Sequence, residues 1–130
     1  MSELLAVVHD APTTADVATL RRAVRTAAEV SGTPVDANDL ELVVSELAAN
    51  AVLHGAAPVT IVLTRLDDTS LRLTVSDTAV DALPPEPPQA ALAETGRGLM
   101  VVAAIATRWG WQVDPDGATK TVWVELSVDA

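Results

Sequence analysis

Apolar positions recur along this chain at three different spacings, and each spacing predicts its own kind of element. Leu4 to Val8 reads as a short first strand. Beyond the turn Asp10-Ala-Pro-Thr-Thr, the residues Val17, Leu20, Val24, Ala27 and Ala28 fall at helical spacing, predicting a helix from about Ala15 to Val30. Ser31-Gly-Thr-Pro stops it, and Asp36 is a suitable N-cap for a second helix ending at Gly55. Leu71, Leu73, Val75 and Asp77 then alternate with Arg72, Thr74 and Ser76, a half-buried strand. Its partner, Val59 to Leu66, joins it through Asp67-Asp-Thr-Ser, which makes a hairpin. From Thr78 to Thr95 the pattern breaks down, and Pro84-Pro-Glu-Pro-Pro can continue neither a helix nor a central strand. A loop of that length is usually a lid, a binding loop or disordered. Leu99 to Thr107 is apolar around its circumference, predicting a buried helix. Trp109 to Val113, the turn Asp114-Pro-Asp-Gly and a strand from about Lys120 to Val128 close the chain. The order β-α-α-β-β-loop-α-β-β predicts an α+β protein: a two-layer α/β sandwich, its mixed sheet covered by helices on one face. No internal repeat is visible, and residues 1–130 are expected to form a single domain.

The informative positions are those where polar residues interrupt an apolar face. Along the second helix, Glu46, Asn50 and His54 project within roughly 80° of one another. Leu40, Val43, Val44, Leu47 and Ala51 form an apolar arc on the same wheel, and Asn50 and His54 fall inside it. Burying an unpartnered polar group costs on the order of 1–3 kcal/mol. Such groups need partners, and a helix that turns a Glu–Asn edge toward its own core is a candidate wall of a polar cleft. Asp77 breaks its strand in the same way, as an acid continuing the core-facing register where the strand leaves the sheet.

Composition narrows the function classes. At 130 residues and 49% hydrophobic, the chain can bury a core, which must be aliphatic because Phe and Tyr are absent. Without cysteine there is neither a disulfide scaffold nor a thiolate metal site. A formal charge of −10, with Lys120 as the lone lysine among 8 basic residues, argues against binding nucleic-acid phosphates. A basic protein surface is a better partner. The first residues lack the basic region and apolar core of a signal peptide, and Leu99 to Ala106 is far short of the roughly 20 residues needed to span a bilayer. The sequence therefore reads as soluble and cytoplasmic, with no membrane partner.

Three elements could converge on one chemistry: the Glu46/Asn50 edge, Asp77, and Thr95-Gly-Arg-Gly-Leu leading into the apolar helix. Gly96 and Gly98 permit close backbone approach, and the helix N-terminus after them offers free N–H groups to an anion. A carboxamide can ligate a hard metal, and Mg²⁺ is typically held by a few protein oxygens plus substrate phosphates. An inward acid such as Asp77 can accept from an exocyclic amine. Together these describe a nucleotide site with a divalent metal. Each part has an ordinary explanation: Glu and Asn one turn apart are commonplace, an Asp at a strand end often forms a turn, and His54 beside Gly55 suits a helix C-terminal cation. Their co-occurrence, in order and in compatible registers, carries the argument. Competing sites fail: no P-loop or Gly-x-Ser-x-Gly elbow is present, Ser45 and His54 lie about 180° apart on the wheel, and His9 and His54 give no zinc pattern.

Val44-Ser-Glu-Leu-Ala-Ala-Asn-Ala-Val-Leu-His-Gly resembles the N-box of the histidine-kinase-like (GHKL, Bergerat-fold) ATPases, closest to their small anti-sigma-factor, serine-protein-kinase branch. Val75-Ser-Asp sits where that family has its adenine-binding acid. Thr95-Gly-Arg-Gly-Leu-Met-Val-Val resembles its second glycine box, and Gly117-Ala-Thr-Lys-Thr-Val-Trp-Val-Glu-Leu its closing strand. The resemblance runs from about Pro12 to Leu126 and implies the Bergerat fold, with ATP and Mg²⁺ as cofactors. It implies that Asn50 holds Mg²⁺ and that Glu46 is the catalytic base or polarising acid. It further implies that Asp77 binds the adenine amine, that Gly96, Arg97, Gly98 and Leu99 shape the lid around the phosphates, and that Thr121 is a minor contact. The parity of the last strand sits badly with Thr121, which shares a face with Trp123 and Glu125. The family's Asp-x-Gly is also altered, to Asp77-Thr-Ala79, placing a methyl group where backbone normally approaches adenine. The resemblance implies a serine/threonine protein kinase regulating transcription by partner switching, with an anti-anti-sigma (antagonist) protein and a sigma factor as partners and a homodimer as its assembly. The alternative is a non-catalytic partner-binding module with a degraded nucleotide site. A stand-alone ATPase fits less well, since no second domain is evident to use the energy.

Overall fold

The structure, a computed structural model, describes residues 1–10, 13–80 and 97–128. Strand β1 (Ser2–His9) leads to helices α1 (Thr14–Ser31) and α2 (Ala37–His54), the hairpin β2 (Val59–Asp67) and β3 (Ser70–Asp77), helix α3 (Arg97–Ile105), and strands β4 (Arg108–Val113) and β5 (Lys120–Ser127). The strands form one sheet in the order β1-β2-β3-β5-β4. All four pairings are antiparallel, where the sequence pattern predicts a mixed sheet. The return from β3 to β5 runs through α3 and β4, so β5 enters beside β3 in the opposite direction. The α+β class and the two-layer arrangement are as expected.

Local chemistry sets the element ends. The Asp36 side chain accepts from the N–H groups of Asn38 (2.8 Å) and Asp39 (3.2 Å), capping α2. Thr13 N–H donates to Asp16 Oδ2 (2.7 Å) at the start of α1. Gly32, at φ +72°, ends α1 in the left-handed region open to glycine. Asp67 Oδ1 accepts from Thr69 N–H (2.9 Å) and the Ser70 hydroxyl (2.7 Å), folding the β2–β3 turn around its own carboxylate.

Strand alternation divides the sheet into two faces. Ile61, Leu63, Leu71, Leu73, Val75, Val124 and Leu126 are buried on the side covered by helices. They meet Leu20, Val24 and Ala28 of α1 and Leu40, Val43, Val44, Leu47, Ala48 and Ala51 of α2 in one aliphatic core. α2 packs against both α1 and α3 and touches β3 and β5. On the opposite face Trp123 lies over Gly110, where a β-carbon would come within 2.8 Å of the indole. The guanidinium groups of Arg72 and Arg108 each lie 5.8 Å from the Trp123 ring centroid, and Arg72 is paired with Glu125 at 3.0 Å. No helix among the described residues is long and apolar enough to cross a membrane.

Candidate functional site

The site is built where the C-terminal end of α2 meets the C-terminal end of β3. Alternation along β3 sends Leu71, Leu73, Val75 and Asp77 to the helix-covered face, and all four are buried there. Asp77 is therefore an inward acid. Its Oδ1 accepts from the Ala79 N–H at 2.8 Å, fixing one carboxylate oxygen. Thr78 ties the chain after β3 to the chain after α2: its N–H donates to the Ala56 carbonyl (3.0 Å), and its hydroxyl reaches the carbonyls of Ala56 and Ala57. These bonds hold the Gly55–Ala57 backbone against the end of β3.

Gly55 makes that approach possible. Its backbone is extended (φ −86°, ψ −176°), so no left-handed turn demands glycine there. A β-carbon would lie 3.0 Å from both Cγ and Oδ2 of Asp77, and 2.5 Å from the Ala51 carbonyl. The missing side chain leaves room for the carboxylate. Among the described residues other than glycine none has a positive φ, so Ala79 sits beside Asp77 without left-handed strain.

Glu46 and Asn50 are half-buried, one turn apart on α2, at the flank of the arc made by Val43, Val44, Leu47 and Ala51. Neither makes a hydrogen bond or ion pair with another described residue. Asn50 is thus at the border of the core rather than inside it, which removes the burial penalty that the helical wheel alone implies. Ser45, on the other side, donates to the Glu41 carbonyl at 2.7 Å and is spent on its own helix.

The third element is α3. Arg97, Gly98 and Leu99 form its first turn, so the free N–H groups expected from the second glycine box belong to a real helix N-terminus. Gly96 and the proline-rich stretch before it lie outside the described residues, as do the side chains of His54, Arg97 and Leu99.

Strand β5 departs from expectation. Thr121 pairs with Ser76 in the ladder and bonds its hydroxyl at 2.8 Å, on the face turned away from Asp77 and the helices. It also donates to Asp114, whose carboxylate takes the Thr119 hydroxyl as well. The residue opposite Asp77 is Lys120, and its Nζ stands 3.6 Å from Asp77 Oδ2, with both side chains only 6% exposed. The signal for Lys120 was present in the strand's parity: it shares a face with Val122, Val124 and Leu126, where a lysine is out of place. Gly55 had no comparable signal, because its reason is a contact between segments distant in sequence.

Among the described residues no group of three His, Cys, Asp or Glu side chains could hold a metal by itself. The arrangement offers instead an inward carboxylate at a strand end, a carboxamide and a carboxylate on one helix edge, and a helix N-terminus for anions. No curated protein sequence matches the chain at a significant level. Among solved structures, a chain of the SiaB–SiaC complex from Pseudomonas aeruginosa superposes with a TM-score of 0.66 at 14% identity, over 96% of this chain and 90% of that one. The Acinetobacter baumannii histidine kinase AdeS superposes with a TM-score of 0.50 at 19% identity, over 98% of this chain and 69% of that one. At such identities the likeness is one of fold. The family description that matches residues 11–125 spans all three parts of the site, and the chain belongs to the histidine kinase-like ATPase domain family.

Proposed function

We propose that this chain binds ATP with Mg²⁺ and transfers the γ-phosphoryl group to a serine or threonine of an antagonist protein, as a partner-switching regulator of the anti-sigma type. The observation that carries the reading is the pair Glu46 and Asn50: half-buried, one turn apart, and bonded to no other described residue, on the helix whose end abuts Asp77. Structural duties do not account for either side chain, and a nucleotide with its metal gives both a task.

The donor set suits a hard cation that keeps most of its ligands from water and phosphate. One carboxamide oxygen from Asn50 is the kind of protein contribution Mg²⁺ accepts. When bound, the ion would neutralise phosphate charge, which matters in a chain of formal charge −10. Gly55, where a β-carbon would stand 3.0 Å from the Asp77 carboxylate, lets that acid seat against the end of α2, and there it would receive an exocyclic amine. The first turn of α3, with Arg97, Gly98 and Leu99, would meet the phosphates through backbone N–H groups, and Gly96 precedes it in the sequence. Glu46 would take the proton of the attacking hydroxyl as its oxygen bonds to phosphorus and the bond to the leaving ADP oxygen breaks. Thr121, on the other face, has no part in this proposal.

The SiaB–SiaC neighbour is itself part of a complex of two proteins, which supports a protein partner for this chain. A sigma factor and a second copy of the chain are the further partners this reading entails. The alternative is a non-catalytic partner-binding module, favoured by one observation: Asp77 already faces a buried cation, Lys120.

Incubation with labelled ATP and candidate antagonist proteins separates the two. Glu46→Gln should bind ATP as the parent does while transfer falls on the order of 10²-fold or more. Firm ATP binding by the parent protein with no transfer to any antagonist would leave the binding module as the correct reading.

A further inference from the structure

Helix α2 turns two leucines to solvent. Leu42 is 41% exposed and Leu53 66%, although the same helix buries Leu40, Val43, Val44 and Leu47. Exposed apolar side chains scattered singly are ordinary and need no explanation. These two are aligned. Eleven residues at about 100° each bring Leu53 to within roughly 20° of Leu42, on the side of the helix opposite the buried arc. Ala49 falls on the line between them. At about 1.5 Å of rise per residue, the stripe is roughly 16 Å long.

The stripe borders Glu46. That acid lies roughly 40° around the helix from Leu42 and 20° from Leu53, one turn beyond the first and two turns before the second. Under the phosphoryl-transfer reading, an acceptor hydroxyl must come within hydrogen-bond reach of Glu46. The protein that carries the hydroxyl then meets the leucines on either side. Charge narrows what it brings there. Helix α2 has the carboxylates Asp39, Glu41 and Glu46 and no Lys or Arg. Glu41 is neutralised from the α1 side by Arg25, at 2.8 Å. Asp39 and Glu46 lie on the other side, within roughly 20° of each other. Neither of these carboxylates makes an ion pair or hydrogen bond with another described residue. The result is an apolar line with an unneutralised acidic margin.

We infer that Leu42, Ala49 and Leu53 form the docking stripe for the acceptor protein. That protein meets the stripe through an amphipathic helix, its apolar side chains on the leucines and its Lys or Arg along the Asp39–Glu46 margin. The inference rests on the phosphoryl-transfer reading above and adds to it the chemistry of the partner. A straight line of side chains on one helix is matched by a second helix lying along it, with apolar anchors spaced by whole turns. A second copy of α2 is a poor occupant, because it has no Lys or Arg to set against the two carboxylates. Division of labour follows: the leucines hold the acceptor protein while Glu46 addresses its hydroxyl.

Fluorescence anisotropy on the full chain, with a labelled helical peptide of leucine on one face and lysine on the other, tests this. The proteins are the parent, the double variant Leu42→Gln with Leu53→Gln, and Val30→Gln, which removes an 83% exposed valine on α1. Glutamine suits a helix, both leucines are exposed, and no substitution alters the charge. The peptide should bind the parent and Val30→Gln alike and saturably, and the double variant at least tenfold more weakly. A peptide with glutamate in place of lysine should bind the parent at least tenfold more weakly than the lysine form. Mg-ATP affinity should be the same in all three proteins. Equal peptide binding by the parent and the double variant means that charge alone attracts the peptide, and it overturns the stripe while leaving the nucleotide site standing. No peptide binding by the parent does the same, and equal binding of the glutamate form overturns the basic character of the partner. Absence of Mg-ATP binding by the parent overturns the reading on which the acceptor role rests, whatever the peptides do.

Discussion

Gly55 ends α2, but not in the way glycine usually ends a helix. At Gly32 the backbone is left-handed (φ +72°) with no atom within 4 Å of where a β-carbon would sit, so that glycine answers a conformational demand. At Gly55 the backbone is extended and the demand is for space, since a β-carbon would stand 3.0 Å from the Asp77 carboxylate. Substitution at the two sites should differ accordingly. Gly55→Ala should destabilise the protein by about 1–3 kcal/mol, as overpacking does, and also weaken any ligand that depends on Asp77. Gly32→Ala should affect stability alone. Urea midpoints paired with ATP titrations of both variants check this, and equal ligand affinity in Gly55→Ala and the parent would show that the Asp77 contact is idle.

At the level of elements, turns and caps held by carboxylates give the fold a defined acid sensitivity. The N–H of Thr13 draws the Asp16 carboxyl below its ordinary range, and the Ser70 hydroxyl does the same for Asp67. A depressed carboxylate contributes stability above its unfolded pKa of about 3.9, and loses it as pH falls through the lower folded value. Asp16→Asn should therefore lower Tm at neutral pH and flatten the decline of Tm with acid, as a series of melts down to pH 2 would show. A Tm difference between parent and variant that persists undiminished at the acid end would contradict the assignment. These ends were legible in the sequence because caps are local: Asp36 and Gly55 marked α2, and Asp67 marked the hairpin. The inward turn of Asp77 was legible too, since a period of two fixes its face. The sheet's uniform antiparallel pairing was not, because β5 inserts beside β3 through contacts that no single segment encodes. Lys120 was readable in principle from the parity of β5. Its pairing with Asp77 depended on the register between two strands far apart in the chain.

On the scale of the whole molecule, the helices leave one face of the sheet to Trp123, Arg72, Arg108 and Glu125, and gather the unusual polar groups on the other. The covered face holds an aliphatic core that stabilises the fold without help from Glu46 or Asn50, whereas Asp77 is the ion partner of the buried Lys120. Glu46 and Asn50 can therefore be altered with the architecture intact, and together with Asp77 they are the basis for the proposed nucleotide site. Calorimetric titration of the full chain with Mg-ATP, beside Asn50→Ala, tests that claim most directly. Alanine suits a helix, so the variant should fold, and its Mg²⁺-dependent affinity should fall more than tenfold, a loss exceeding about 1.4 kcal/mol. Saturable binding by the parent with that loss in the variant is the predicted result; equal heats of binding from the two proteins, or none from either, would contradict it.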